Sequence, residues 1–164
     1  MSKLHSLLDK DGELLESFIS SESNDDGMID DRTPGAVRLA APEDWSPESG
    51  DGLVLEVDTE PVPEFIRAPI IAINFPVFND GRGLSLAVLL RSRYGYKGDL
   101  RAVGDIHPEL LYYMKRCGFD SYELQTSRSQ MSISSQSAQA PYSDYYQASV
   151  VEPDPVYRRV RRGA

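Results

Sequence analysis

Between residues 53 and 124 this chain alternates strand-length apolar runs with runs of helical period, and that alternation limits its fold more than any other feature. LVLEV at 53–57 and PIIAINF at 69–75 read as strands. The second is apolar almost throughout, as expected of a strand covered on both faces. LSLAVLLRSRYG at 84–95 reads as a helix that stops at Gly95, with Arg91 and Arg93 where the helix dipole favours cations. DLRAVGD at 99–105 is a further strand, PELLYYMKRCG at 108–118 a second helix opened by Pro108 and closed by Gly118, and DSYEL at 120–124 a last short strand. Strands that alternate with helices imply parallel neighbours joined by right-handed crossovers. The expected class is α/β, as a small open parallel sheet or a partial-barrel-like βαβαβ domain. A complete eightfold barrel needs about 250 residues, more than the 164 present.

The flanks read differently. Residues 1–36 form an acidic segment expected to be largely flexible, although Leu4, Leu7, Leu8, Leu14, Leu15, Phe18 and Ile19 allow either a short docking helix around 13–19 or a strand near the start. The α/β domain is placed at 37–125, with Trp45, between Pro42 and Pro47, as a packing anchor at its edge. A Ser/Gln-rich linker spans 126–140, and residues 141–164 form a docking segment with a basic tail.

Charge follows the same division. The net charge is −9, but residues 1–64 alone hold 17 acidic and 4 basic side chains, whereas 65–124 and 125–164 are each +2. An acidic chain without a basic stripe is a poor nucleic-acid binder. One cysteine, Cys117, excludes an intramolecular disulfide and suits a reducing compartment. The first residues lack the apolar core of a secretory signal, and no run approaches membrane-span length. A soluble, cytoplasmic protein without membrane association is expected.

In open parallel sheets ligands bind beyond the carboxyl ends of the strands. Asn79-Asp80-Gly81-Arg82-Gly83 lies at such an end and opens a helix. Its glycines permit close backbone approach, the helix start offers free N–H groups, and Arg82 offers a fork of donors to an oxyanion. Asp80, Gly81, Arg82, Gly83, Arg101 and Asp105 are therefore the candidate ligand-binding residues. The competing reading is structural: Asp80 caps the turn and Arg82 pairs with Asp105. The turn matches only half of a dinucleotide fingerprint, and no Walker lysine or GxSxG elbow is present.

His107 and Cys117 lie ten residues apart on one predicted helix, about 15 Å along its axis. They form no thiolate pair, and Cys117 reads as a packed thiol. One Cys and two distant His exclude an iron–sulfur cluster or zinc site, so no cofactor is expected. No catalytic residue is assigned, and whether the chain is an enzyme stays open. Tyr94, Tyr96, Tyr112 and Tyr113 read first as packing residues. Tyr112 and Tyr113, with Arg159, Arg161 and Arg162 of the tail, are candidate partner-binding residues.

The stretch 75–124 carries Phe75-Pro76, Phe78, Asp80-Gly81-Arg82-Gly83, Ser85, Leu89-Leu90-Arg91, Gly95-Tyr96, Gly98, Leu100-Arg101-Ala102-Val103-Gly104-Asp105 and Arg116-Cys117-Gly118-Phe119-Asp120. In these residues it resembles a bacterial family catalogued as domain of unknown function number nine-three-four. Genes of that family often adjoin those for the sulfite/nitrite reductase haemoprotein of assimilatory sulfur metabolism. Its members are sometimes labelled oxidoreductases on that ground rather than from chemistry. The resemblance implies an accessory protein of assimilatory sulfite reduction that acts by protein–protein contact, with the haemoprotein or another sulfur-assimilation enzyme as partner. The alternative is a small α/β enzyme or an oxyanion- or phosphate-binding module at the strand ends. His107-Pro108-Glu109 replaces the Arg-Asp-Gln more usual in the family at this step.

Overall fold

A computed structural model describes residues 3–11, 14–20, 37–125 and 145–160. Its strands are β1 (Lys3–Asp9), β2 (Leu14–Ser20), β3 (Leu39–Ala40), β4 (Gly52–Glu56), β5 (Ile70–Phe75), β6 (Asp99–Gly104) and β7 (Ser121–Gln125). Its α-helices are α1 (Gly81–Ser92), α2 (Leu111–Cys117) and α3 (Val156–Val160), with 3₁₀ turns at Pro63–Arg67 and Pro108–Leu110. The seven strands form one sheet in the order β2-β1-β7-β6-β5-β4-β3. From β3 to β7 every neighbour pair is parallel and in sequence order. This is the α/β class expected above, an open and mostly parallel sheet, in which right-handed crossovers between successive parallel strands place their connections on one face.

That face holds the core. Cross-strand register lines up Leu55, Ile73, Ala102, Tyr122 and Leu8 over five strands, with Leu53, Ile71 and Leu100 in the adjacent row. Leu86, Ala87 and Leu90 of α1 and Leu111, Met114 and Cys117 of α2 pack on them in one cluster. Each fully buried Leu or Ile contributes roughly 1.5–3 kcal/mol relative to exposure. Trp45 meets Phe65 edge-on at 6.0 Å and packs against this cluster, which is the anchoring expected of it. The opposite face alternates to Val54, Ala72, Arg101, Ser121 and Asp9 in one row. The apolar run of β5 thus includes an alternation: Ile71, Ile73 and Phe75 face the helices, while Ala72 and Asn74 share the polar face.

Three differences from the sequence reading have physical causes. Of the two readings left open for the first residues, the strand near the start is found as β1, while 14–20 form a second strand instead of a helix and pair antiparallel with β1, which itself pairs antiparallel with β7. The paired strands satisfy each other's backbone groups, and Lys115 of α2 anchors the turn through the Asp11 carboxylate at 2.7 Å. The first helix begins at Gly81, three residues before the apolar run, because Asp80 caps it there. The second begins as a 3₁₀ turn at Pro108–Leu110 and becomes α-helical only from Leu111. Gly118 then ends it in the left-handed conformation, φ 104°, donating to the carbonyls of Lys115 and Met114.

The amino ends of the parallel strands are tied together by Arg91. Its Nε donates to the Gly118 carbonyl at 2.9 Å, and its Nη1 donates to those of Tyr96 at 2.8 Å and Gly98 at 3.0 Å. Its Nη2 donates to the Asp120 carboxylate. Asp120 also accepts from the Leu100 N–H at 3.1 Å. Tyr96 is buried beside it, with its hydroxyl 3.1 Å from the carbonyls of both Ala68 and Asp99. Burial pushes the Tyr96 phenol well up from its ordinary range.

At the carboxyl end of β6, Gly104 has φ +94°, and a Cβ there would lie 2.5 Å from the Phe75 carbonyl oxygen. Gly104→Ala is expected to cost about 2 kcal/mol or more in urea unfolding, from strain and clash together. Gly81→Ala, where an added Cβ meets nothing within 4 Å, is expected to be neutral or to stabilise by up to about 1 kcal/mol.

Candidate functional site

The carboxyl ends of β4, β5 and β6 present Glu56, Asn74, the turn 76–83, and Asp105 with His107. Asn74 Nδ2 donates to both carboxylate oxygens of Glu56, at 2.9 and 3.2 Å, joining the ends of β4 and β5. After β5 the chain turns at 76–80, where Asp80 N donates to the Val77 carbonyl at 3.1 Å. Asp105 Oδ2 accepts from the Phe78 N–H at 3.2 Å and holds this turn against the end of β6. The His107 ring lies against Phe78, centroids 4.3 Å apart, with Nε2 3.8 Å from Asp105 and Nδ1 3.5 Å from Glu109.

Asp80 is the N-cap of α1. Its Oδ1 accepts from the backbone N–H of Arg82 at 3.0 Å, which satisfies one of the free donors of the helix start. The same carboxylate also grips the Arg82 guanidinium, with Nε at 3.0 Å on Oδ1 and Nη2 at 2.7 Å on Oδ2. Arg82 is thus partnered by Asp80, two residues away. This carboxylate therefore engages one N–H of the helix start and the Nε and Nη2 donors of the Arg82 fork. Gly83 serves packing: a Cβ there would lie 2.5 Å from the Phe75 ring, so the glycine lets α1 approach the sheet.

The remaining candidates divide by location. Arg101 lies mid-strand on the polar face, about 10 Å along β6 from its carboxyl end. Its Nη2 donates to Asp99 at 2.8 Å and its Nε to Ser121 Oγ at 3.2 Å. Ser121 Oγ in turn donates to Asp99 at 2.8 Å. Asp99 and Ser121 complete a polar network that the sequence reading missed. The alternation of Asp99, Arg101 and Val103 against Leu100 and Ala102 is the signal that marks it. Asp80, Gly81, Arg82, Gly83 and Asp105 do gather around the strand ends, whereas Arg101 does not join them.

On α2, Tyr112 stacks on Tyr145 with centroids 5.4 Å apart. Its phenol is pushed up to about 12, chiefly by burial and then by the hydrogen bond with Tyr145. Arg116 lies over the Tyr145 ring at 4.2 Å and donates to the Gln147 carbonyl at 3.0 Å. These contacts dock residues 145–150 on α2. Tyr113 is exposed, as is Arg159 on α3, whereas Arg161 and Arg162 lie outside the described residues. Cys117 is buried and its thiol is pushed up by that burial, which fits a packing role. Among the described residues no group of His, Cys, Asp and Glu is arranged to hold a metal ion, and no helix is long and apolar enough to cross a membrane.

Against known proteins, residues 53–157 match a family profile described as "Bacterial protein of unknown function (DUF934)". No curated protein and no solved structure matches the chain.

The Asp80 carboxyl is held below its ordinary value of 3.8, first by the Arg82 side chain and then by the Arg82 N–H. A carboxyl depressed in the folded state stabilises the fold fully above its unfolded value and loses that contribution as pH falls below it. The gap in melting temperature between the native chain and Asp80→Asn is therefore expected to be constant from about pH 7 to about pH 5 and to close below about pH 4. Thermal melts across this range check it; a gap unchanged in acid would show that the cap does not act through its charge.

Proposed function

The chain belongs to the bacterial DUF934 family, and from that premise we propose that it is a cytoplasmic accessory protein of assimilatory sulfite reduction that acts by binding a partner protein rather than by catalysis. The partner is the sulfite/nitrite reductase haemoprotein or a companion enzyme of sulfur assimilation. One observation carries the reading as an interaction protein: an aromatic pair exposed at the surface. Tyr146 and Tyr157 stack with centroids 5.4 Å apart while 72% and 46% exposed. Tyrosines displayed in this way supply large contact area at low entropic cost, and they are enriched in interfaces. Tyr157 precedes Arg158 and Arg159 on α3, so a cationic rim accompanies the aromatic pair.

The oxyanion-binding alternative has less to rest on, because Asp80 holds Arg82 on both of its oxygens. The link to sulfite reduction is supported by the family resemblance of residues 75–124.

The tagged full-length protein, used as bait in cells grown on sulfate as sole sulfur source, is expected to recover a sulfur-assimilation enzyme. Tyr146→Ala with Tyr157→Ala should cut that recovery about tenfold or more. Recovery of no such enzyme by the native chain would overturn the proposal.

A further inference from the structure

Beside the candidate turn lies an open groove of about 690 Å³, between the loop that follows β4 and the first turns of α1. Its floor is apolar: Val57, Pro61 and Leu86 are buried and Leu89 is half-buried. The floor is fixed from behind, since the Tyr94 hydroxyl donates to the Pro61 carbonyl at 2.8 Å. The helical wall presents Gly81 and Ser85, one turn apart on the same face. Gly81 leaves the wall open at that point, with nothing within 4 Å of the position of a Cβ.

The rim sets the sign of the charge. Asp58 and Glu60 line the groove and are exposed. Neither has an ion-pair partner within 4.0 Å among the described residues. The one cation of the rim, Arg82, is already held by Asp80 through two hydrogen bonds. At and beside this rim three carboxylates, Asp58, Glu60 and Asp80, therefore stand against one guanidinium, which Asp80 grips and Asp58 also attracts. An anionic ligand meets repulsion here, whereas a ligand with cationic and apolar parts meets both the rim and the floor.

We propose that this groove docks a lysine- or arginine-bearing amphipathic segment of a partner protein. The apolar side chains of that segment meet the floor at the half-buried Leu89, and its cations pair with Asp58 and Glu60. The chain's own basic run on α3 is the weaker occupant, because Tyr157 in it is stacked on Tyr146 of the same molecule. The inference goes beyond the aromatic pair discussed above and rests on different residues.

The test is an amide NMR titration of the full chain with a short amphipathic Lys/Leu peptide and its Glu/Leu counterpart. The Lys/Leu peptide is expected to move the amides of 57–60 and 81–89, and the Glu/Leu peptide to move none of them. Affinity should fall roughly tenfold in Asp58→Asn with Glu60→Gln. It should be unchanged in Glu43→Gln with Asp44→Asn, which removes the same charge elsewhere, and in Tyr146→Ala with Tyr157→Ala, which addresses the separate proposal. Ser85→Arg, which puts bulk and positive charge on the exposed wall, should abolish the shifts and provides a second variant if the first fails to fold. Equal loss in the two charge-removal pairs, shifts outside the groove, or displacement of the peptide by sulfite or inorganic phosphate would each overturn the proposal. Self-association of the native chain that is lost with Asp58→Asn and Glu60→Gln would assign the groove to a second copy and overturn it as well.

Discussion

The guanidinium of Arg91 is the point on which the rest of this fold depends. It stands at the end of α1 and reaches three separate pieces of chain: the turn after α1, the left-handed stop of α2, and the start of β7. Each carbonyl it serves belongs to a turn whose backbone acceptors have no partner in a helix or strand ladder. Hydrogen bonds from a charged donor contribute roughly 1.5–3 kcal/mol, about twice a neutral one. Asp120 completes the arrangement by accepting from both Arg91 and the Leu100 N–H, so it joins α1 to β6 as well as to β7. Gly118 is required here twice over. Its φ of 104° suits glycine, and a Cβ would lie 2.7 Å from Cγ of Arg91.

This bond network sits at the amino ends of the parallel strands, and that location divides the molecule. At one end, close-set glycines, the buried Tyr96 and the Arg91–Asp120 contact fix the loops. At the other, the loops carry charge: Asp58, Glu60, Arg82 and Glu109 are exposed and Asp80 is half-buried. Parallel sheets of this kind place binding at the carboxyl ends and stability at the amino ends. The Asp80–Arg82 pair gives the carboxyl end its character. Asp80 offsets the charge of the Arg82 guanidinium, which stays exposed, so that with Asp58 and Glu60 the carboxylates at this end outnumber the cation.

What could be read in advance depended on whether a residue's role was periodic or geometric. The runs 53–57, 69–75 and 99–105 were legible as strands because short apolar runs between turns announce them, and the parallel order followed from their alternation with helices. The hairpin of β1 and β2 was obscured because Leu4, Leu7, Leu8, Leu14, Leu15 and Phe18 recur at helical spacing. Asp11-Gly12 was the hairpin signal. Arg91 was legible only as a cation near a helix end, since its partners lie 5–29 residues away and no local pattern encodes them. Asp80 and Arg82 were found as a pair of interest, but a sequence spacing of two does not tell a cap closed on its neighbour from a cradle open to a ligand. The Asp99, Arg101 and Ser121 network was hidden for a similar reason: its members meet across β6 and β7, and only the register brings them together.

A double-mutant cycle on Arg91 and Asp120, read by urea unfolding, tests this account most directly. Arg91→Met and Asp120→Asn are each expected to destabilise the chain, and the double variant to lose less than the sum by about 1.5 kcal/mol or more, because either change alone strands the other's partner. Losses that add to within about 0.5 kcal/mol would contradict it, and would mean that the amino ends of the strands are held by packing without this contact.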